Sequence, residues 1–369
     1  MTAILRAGLT LLLLTTLVAC GAGSDGSPSD SESADADPET EASPVAGVSF
    51  RFVDVNGIRM RVAEAGEGPL VLFAHGWPES WYSWRHQLPA LAEAGYRAVA
   101  PDMRGYGSTT APPDVADYDI AHLCGDLKGL VSALGHEEAV LVGHDWGAVA
   151  GWQCALLEPE TFRAAVNMSV PYRGRAARSP LESWQEQFGD NFFYILYFQE
   201  LNGDGSGIAE AEFDADPRGL LSRLYTSPGT PREEPHLTDP LRSAGGLIPR
   251  RGAPTELPDW LSSEDLAYYV GEFEGAGFRG GINYYRNFHR NWETTPQLDG
   301  ARVQQPSLFI AGEQDVVIGG VTRDQLEEEM QRVILDLRGV HLIPDTGHWV
   351  QQERPEQVNQ LLLEFLAGL

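Results

Sequence analysis

One short segment, Gly143–Gly147, constrains the fold of this chain more than any other. It has the sequence GHDWG and follows directly on the apolar run Ala139–Val142. This segment has a nucleophile at its centre and a glycine two residues away on each side. Such a pattern is typical of a sharp turn between a buried strand and a helix. The glycines allow the strained turn and the close approach of the helix, so we expect the Asp145 side chain to enter a cleft.

A carboxylate at this position limits the chemistry, because the usual residue there is serine. Serine attacks a carbonyl group and forms an ester, whereas a carboxylate attacking a carboxylic ester would give an anhydride, a poor intermediate. Asp145 would instead attack a saturated carbon that carries a leaving group and form an alkyl ester. The turn therefore disfavours esterases and lipases, and it favours cleavage of a carbon–oxygen or carbon–halogen bond.

Length and charge narrow the class of protein further. The 369 residues fit about two domains, or one α/β unit with an insertion. The net charge is −27, with 53 acidic and 26 basic residues. Phosphate binding needs a basic face, so this charge disfavours nucleic acid as a partner.

The N-terminus has the pattern of an exported, lipid-anchored protein. Arg6 precedes an apolar segment, 8–18, which is shorter than the roughly 20 residues that span a bilayer. The sequence LVACG then resembles the bacterial lipobox, in which the chain is cleaved before Cys20 and acylated on its thiol. We expect residues 1–19 to be a signal peptide and Cys20 to hold an extracytoplasmic protein at the membrane. An ordinary signal peptide is the alternative.

The segment after the anchor and the two remaining cysteines lead to further expectations. Residues 20–46 are mostly Ser, Asp, Glu, Pro, Gly and Ala without a basic residue, which is typical of a disordered acidic tether. Cys124 and Cys154 lie in predicted helices. Export would permit a disulfide between them, but free buried cysteines are the simpler expectation.

From residue 47 onwards, strand and helix patterns alternate as in an α/β fold. A hairpin is predicted around Asn56-Gly57, a strong turn signal. Between 173 and 298 the alternation fails, and this segment, rich in aromatic residues, Gly and Pro, is predicted to be an inserted helical cap. We therefore predict an α/β-hydrolase fold: a mostly parallel sheet with helices on both faces, formed by residues 47–172 and 299–369.

The last part of the chain resumes the α/β pattern. A strand over 306–311 is predicted to end just before Asp315. A helix near 322–335 and a strand near 340–343 then lead to His348. A final helix closes the chain.

Three candidate catalytic residues follow strand ends in the order that this fold uses: nucleophile, acid and histidine. They are Asp145, Asp315 and His348. Asp145 is ionised at neutral pH and needs no base to attack. His348 would activate the water that hydrolyses the alkyl ester, while Asp315 would fix its tautomer. The backbone N–H groups of Trp77 and Trp146 are candidates for the oxyanion hole.

Two other histidines in these loops, His75 and His144, are interpreted as structural residues. His75 begins the segment HGWP, and His144 stands directly before the nucleophile. Neither is expected to act as a base.

From about residue 50 to the C-terminus, the chain resembles the hydrolase domain of soluble epoxide hydrolases. Seven short segments carry the resemblance: HGWP (75–78), DMRGYG (102–107), GHDWG (143–147), YILYFQ (194–199), GFRG (277–280), NYYRN (283–287) and GHW (347–349). In that family two cap tyrosines hold the epoxide oxygen, and the match implies that they are Tyr194 and Tyr285. Their phenols, with an ordinary pKa near 10, would be protonated at pH 7 and able to donate.

The resemblance implies an enzyme that converts epoxides to vicinal diols with water and needs no cofactor or metal. Lipid-derived and xenobiotic epoxides fit the sequence equally. A haloalkane dehalogenase of the same fold is the alternative, with the indoles of Trp77 and Trp146 as a halide cradle, but the cap tyrosine motifs argue against it. A non-catalytic surface binding protein is disfavoured because the full set of candidate catalytic residues is intact.

Overall fold

The computed structural model describes residues 42–369. The predicted signal peptide 1–19, the predicted anchor Cys20 and most of the predicted tether 20–46 lie outside the described residues. None of the helices within 42–369 combines the length and the hydropathy that crossing a bilayer requires.

A central sheet organises the described chain. Its strands are β1 (Ser49–Val55), β2 (Ile58–Ala65), β3 (Leu70–Ala74), β4 (Arg97–Pro101), β5 (Ala139–His144), β6 (Phe162–Met168), β7 (Ser307–Gly312) and β8 (Leu337–Ile343). They lie in the order β1-β2-β4-β3-β5-β6-β7-β8. β2 pairs antiparallel with both β1 and β4, and every other neighbouring pair is parallel.

Burial explains why the central strands read as unbroken apolar runs. Every residue of β3, β5 and β7 is buried, as expected for parallel strands with helices on both faces. The opening hairpin is confirmed: Asn56 and Gly57 have φ angles of 48° and 80°, and two positive φ values are what the tight two-residue turn requires.

Helices surround this sheet in three groups. Before β6 lie α1 (Gln87–Glu93), α2 (Ile120–Ala133) and α3 (Trp146–Leu157). Between β6 and β7 lie α4 (Pro180–Phe188), α5 (Tyr194–Tyr197), α6 (Ile208–Ala215), α7 (Pro217–Leu224), α8 (Ser263–Ala276), α9 (Arg279–Arg286) and α10 (Phe288–Thr294). After β7 lie α11 (Arg323–Gln331), α12 (Val350–Glu353) and α13 (Pro355–Ala367). The middle group occupies the predicted cap, whose limits of 173 and 298 stay a prediction.

Close backbone contact joins this helical insertion to the core. A Cβ atom on Gly280, in α9, would lie only 2.2 Å from the carbonyl oxygen of Gly105. Beside it, the hydroxyl of Tyr284 donates to the carbonyl of Arg104 at 2.9 Å. The segments at 102–107, 277–280 and 283–287 therefore share one role, because they form the contact that positions α9 over the sheet.

The expectation of free cysteines was wrong. Cys124 of α2 and Cys154 of α3 form a disulfide, with their Cα atoms 5.2 Å apart. Both residues are buried where the two helices pack against each other. The sequence alone did not predict this pairing, because it depends on how closely two helices separated by a strand approach one another.

Candidate active site

Asp145 occupies the sharp turn that the sequence predicts between β5 and α3. Its backbone has φ 51° and ψ −115°, a conformation that is strained for a residue other than glycine. The flanking glycines are needed for space: a Cβ on Gly147 would lie 1.9 Å from the carbonyl oxygen of Ala74, and one on Gly143 would lie 2.2 Å from the carbonyl oxygen of Gly147. Tight packing on both sides thus holds the carboxylate at the carboxyl end of the central strands.

Two backbone N–H groups point at the Asp145 carboxylate. The N–H of Trp77 donates to its Oδ1 at 2.9 Å, and the N–H of Trp146 also donates to the carboxylate. Gly76 lets this loop approach, since a Cβ there would lie 2.4 Å from the Cβ of Asp145. The two candidate oxyanion donors are therefore directed at one group.

His348 lies between the two aspartates. Its Nδ1 is 3.1 and 3.2 Å from the two carboxylate oxygens of Asp315, a distance that fits a hydrogen bond. Its Nε2 is 3.8 Å from Oδ2 of Asp145, too far for one. The side chains of His348 and Asp145 stay 18% and 14% exposed, so both remain accessible from the adjoining cavity.

Charges in this group shift one another's pKa. Burial opposes protonation of His348, but the carboxylates of Asp315 and Asp145 outweigh it and raise the pKa of His348 to about 9. Burial raises the pKa of Asp145, against the opposing effect of His348, His144 and the two backbone donors. The pKa of Asp315 is lowered, because its contacts with His348 and Ser169 outweigh burial. In the free enzyme His348 is therefore an imidazolium between two carboxylates at neutral pH.

A cavity of about 340 Å³ opens over Asp145 and His348, and Tyr194 and Tyr285 line its cap side. The two tyrosine rings are 5.8 Å apart between centroids and nearly perpendicular. Burial and the negative charge of Asp145 raise the pKa of both phenols above its ordinary value. Both hydroxyls are therefore protonated at neutral pH and can donate a hydrogen bond across from the carboxylate.

One of the two candidate halide-binding tryptophans already bonds to a tyrosine of the insertion. The Trp146 ring packs edge-on against Tyr285 at 5.2 Å and hydrogen-bonds to its hydroxyl. Trp77 lines the cavity, but its indole nitrogen is buried and has no hydrogen-bond partner among residues 42–369. The indole N–H of Trp146 is engaged by the Tyr285 hydroxyl, which disfavours a halide cradle formed by both tryptophans.

Beneath the site lies a buried carboxylate, Glu79, that sequence reasoning missed. Its Oε2 accepts the N–H of Gly76 at 2.8 Å and is 2.8 Å from Nδ1 of His144. The other ring nitrogen of His144 is 2.8 Å from the carbonyl oxygen of His348. Burial opposes ionisation of Glu79, but His144 and its other partners hold the pKa near 2. Glu79 and His144 thus link the Trp77 loop to the His348 loop. The available signal was a carboxylate directly after the segment HGWP.

Two further supporting residues were missed. Ser169, just after β6, has a φ of 71° and places its hydroxyl 3.0 Å from Nδ1 of His348. Glu353 accepts the N–H groups of Gly347 and Trp349, both at 3.1 Å, and so grips the chain on each side of His348. The position of Ser169 at a strand end was a usable signal. No sequence signal distinguished Glu353 from the other acidic residues, of which the chain has 53 in all.

His75 has the structural role that its position suggested. Its Nε2 accepts the N–H of Met103 at 3.0 Å, and its Nδ1 lies 2.9 Å from the carbonyl oxygen of Gly76. Both ring nitrogens are therefore engaged. Among residues 42–369, no group of three His, Cys, Asp or Glu side chains is arranged to hold a metal ion.

Known proteins with the same fold and sequence pattern place the chain in a family. The alpha/beta hydrolase fold model matches residues 69–202. Epoxide hydrolase A of Mycobacterium tuberculosis is 47% identical over 322 residues, which are 86% of this chain and 97% of that protein. The chain belongs to the epoxide hydrolase family. Epoxide hydrolase 1 of Siraitia grosvenorii, another member, is 39% identical over 85% of this chain and 96% of its own length.

A solved structure agrees with this epoxide hydrolase assignment. The crystal structure of Epoxide Hydrolase A from Mycobacterium thermoresistibile matches with a TM-score of 0.78 at 45% identity, covering 87% of this chain and 99% of that one. The predicted α/β-hydrolase fold and the resemblance to epoxide hydrolases are thereby confirmed, and the protein is an epoxide hydrolase. The candidate residues of the core and the cap either line one cavity or directly contact a residue that lines it. Their individual roles stay predictions.

Proposed function

We propose that this enzyme opens an epoxide by direct attack of the Asp145 carboxylate and releases a vicinal diol by hydrolysis of the resulting ester. The observation that carries the proposal is one cavity in which an ionised carboxylate faces two protonated phenols, Tyr194 and Tyr285. A carboxylate supplies the nucleophile that a strained three-membered ring needs. The phenols supply the acid that its oxygen needs as the carbon–oxygen bond breaks.

The first step forms the ester. Oδ1 of Asp145 is held by Trp77, so Oδ2 is the oxygen free to attack a ring carbon. As the carbon–oxygen bond breaks, the epoxide oxygen takes a proton from Tyr194 or Tyr285. His348 carries an extra proton in the free enzyme, and this proton restores the phenol through solvent. The products of this step are a neutral ester, two intact phenols and a neutral imidazole.

The second step hydrolyses that ester. Once Asp145 is esterified, one of the charges that raise the pKa of His348 is gone, so the neutral imidazole becomes the favoured form. Neutral His348 takes a proton from water, and the hydroxide attacks the ester carbonyl. The N–H groups of Trp77 and Trp146 stabilise the oxyanion. Collapse releases the diol and returns Asp145 as a carboxylate and His348 as an imidazolium.

A product assay tests this reaction class. The purified full chain in detergent is given styrene oxide, a long-chain internal epoxide and a matched chloroalkane. The proposal expects a diol from at least one epoxide and no halide release. Halide release without diol formation would instead establish the dehalogenase alternative.

We propose further that the enzyme is a lipoprotein held at a membrane outside the cytoplasm. Two observations support this location: the lipobox-like sequence LVACG, which ends one residue after Cys20, and the disulfide between Cys124 and Cys154, a bond that persists in oxidising compartments. Cys20→Ser should move the enzyme from the membrane fraction to the soluble fraction. As a matched control, Ser24→Cys in the same background should not restore anchoring. Unchanged fractionation of Cys20→Ser would refute the anchor.

A further inference from the structure

A buried carboxylate that the proposed reaction does not use joins the loop of His348 to the helical insertion. Glu353, the last residue of α12, is 5% exposed. Its Oε1 accepts the N–H of Trp349, and its Oε2 accepts the N–H of Gly347, both at 3.1 Å. The same Oε2 accepts the hydroxyl of Ser227 at 2.7 Å. Ser227 lies in the loop after α7, so one carboxylate connects both sides of His348 with the insertion.

The hydroxyl of Ser227 is itself held in place. Its oxygen accepts the indole N–H of Trp260, from a later loop of the insertion, at 2.9 Å. The hydroxyl therefore gives its only proton to Glu353 and keeps a lone pair for Trp260. A second hydrogen bond runs beside this one, since the indole of Trp349 donates to the carbonyl of Leu224 at 2.9 Å. The segments 224–227 and 347–349 are thus joined at two places.

The charge of Glu353 gives these contacts their strength. Its partners within residues 42–369 are hydrogen-bond donors rather than a paired cation. Burial raises the pKa of Glu353, while Ser227, the N–H groups of Gly347 and Trp349 and, to a smaller extent, the charge of Arg354 oppose that shift. A buried carboxylate that is balanced by hydrogen bonds favours the geometry in which every donor is present. Glu353 therefore ties the position of the segment 347–349 to that of Ser227.

The position of His348 matters more for one step of the proposed reaction than for the other. In ester formation His348 returns a proton through solvent, so its exact place has little influence. In ester hydrolysis its Nε2 takes a proton from the water that attacks the ester carbonyl. Proton transfer of this kind needs hydrogen-bond geometry, and a displacement of about 1 Å can cost about 100-fold in rate. Asp315 orients the imidazole ring, whereas Glu353 holds the backbone from which that ring projects.

We propose that Ser227 and Glu353 are positioning residues for His348, which hold the segment 347–349 from the insertion so that the imidazole reaches the attacking water. This inference rests on the proposed function, because it assigns both residues to ester hydrolysis. The two residues differ in one useful respect, since Ser227 lines the cavity and Glu353 does not. Direct contact with the substrate could therefore explain an effect of Ser227 but not the same effect of Glu353.

Single-turnover kinetics separates the two steps. The epoxide that yields a diol in the product assay is mixed with excess enzyme, and the ester on the enzyme is followed by rapid quench and intact-mass spectrometry. Glu353→Gln keeps the size of the side chain but removes its charge and one acceptor oxygen, so ester hydrolysis should slow by about 10- to 100-fold. Ser227→Ala removes one donor and should slow hydrolysis by about 5-fold. The rate of ester formation should stay near that of the wild type in both variants.

Matched variants assign the effect to the contact. Ser227→Thr keeps the hydroxyl and should restore most of the hydrolysis rate. Ser263→Ala is the control and should change neither step, since the exposed hydroxyl of Ser263 bonds to the carboxylate of Glu264 away from the cavity. The double variant Ser227→Ala/Glu353→Gln should hydrolyse the ester no more slowly than Glu353→Gln alone, because both changes act through one contact. If Glu353→Gln does not fold, the comparison of Ser227→Ala with Ser227→Thr still decides the point.

Three results would overturn the inference while leaving the proposed function intact. Normal ester hydrolysis in Ser227→Ala would show that the insertion does not position His348. Equal slowing of both steps in Ser227→Ala and Glu353→Gln would assign the contact to the general structure of the cavity. Slower ester formation with normal hydrolysis in Ser227→Ala would assign Ser227 to substrate binding. By contrast, absence of any ester in both the wild type and His348→Gln would refute the proposed function on which the inference rests.

Discussion

The cavity has a core side, with Asp145, Asp315 and His348, and a cap side, with Tyr194 and Tyr285. The two sides differ in the partners of their polar groups. On the core side, Oδ1 of Asp145 accepts the N–H of Trp77 at 2.9 Å, and Nδ1 of His348 lies 3.1 Å from the carboxylate of Asp315. The Nε2 of His348 faces Asp145 at 3.8 Å. On the cap side, the phenols of Tyr194 and Tyr285 face the cavity without a carboxylate partner among residues 42–369. This difference indicates that the core side determines which chemical steps the enzyme can carry out. The cap side presents two phenol hydroxyls to the cavity, and the proposed ring opening uses them as acids.

The largest expected effect comes from removing the base on the core side. His348→Gln should still form the ester on Asp145 but should hydrolyse it at least about 1,000-fold more slowly, since general base catalysis supplies roughly 10²–10⁴ in rate. Intact-mass spectrometry should show the enzyme plus one epoxide after a single turnover. Asp145→Ala is the control, and it should show no added mass. Normal turnover by His348→Gln would contradict the division between the two sides.

A smaller effect is expected from the phenols of the cap side. Tyr194→Phe and Tyr285→Phe should each slow ester formation by about 100-fold, the scale for losing one preorganised donor, and should leave ester hydrolysis little changed. Rapid-quench measurement of both steps separates them. Tyr197→Phe is a matched control, because its hydroxyl bonds to Glu212 and does not line the cavity. If the tyrosine variants hydrolysed the ester more slowly but formed it at the normal rate, the proposed role of the phenols in ester formation would be wrong.

The smallest effect concerns charge within the core side. Asp145→Asn removes one of the carboxylates that raise the pKa of His348 to about 9, so the pKa of His348 should fall. The sign follows because an imidazolium loses a nearby negative charge. NMR titration of His348 between pH 5 and 10 measures it. Asp336→Asn, an exposed carboxylate paired with Arg338, is the control and should not move the value. An unchanged pKa in Asp145→Asn would contradict the proposed switch between the two steps.

The same shift affects the stability of the fold with pH. The pKa of His348 in the folded chain, about 9, lies above its ordinary value near 6.5. Protonated His348 therefore stabilises the folded state fully below about pH 6.5, and this contribution is lost as the pH rises through 9. The free energy of unfolding, measured with urea at several pH values, should decline over this window more in the wild type than in Asp145→Asn.

The positions of the core-side residues at strand ends could be predicted from the sequence because the signals are local, while the catalytic roles of these residues stay predictions. Strand ends, a glycine-flanked turn and the order of three residues along the chain are all visible without a structure. Element ends were less exact. The helix expected over 322–335 ends at Gln331, because Ile334 leaves it to pair with Val303. Likewise, β8 begins at Leu337 rather than near 340.

The cap side could be predicted only in part, because its groups meet through the fold rather than through the sequence. Tyr194 and Tyr285 were named by family resemblance alone. The supporting role of Glu79 and the disulfide between Cys124 and Cys154 were not predicted either. Each depends on contacts between loops or helices from distant parts of the chain.

The central claim is that the Asp145 carboxylate, and not water, attacks the epoxide. A single turnover in water labelled with oxygen-18, with enzyme in excess, tests it most directly. The account predicts that the first diol carries no label and that the peptide containing Asp145 gains oxygen-18, because water attacks the carbonyl carbon of the ester. A labelled diol with an unlabelled Asp145 peptide would show direct attack by water and would contradict the account.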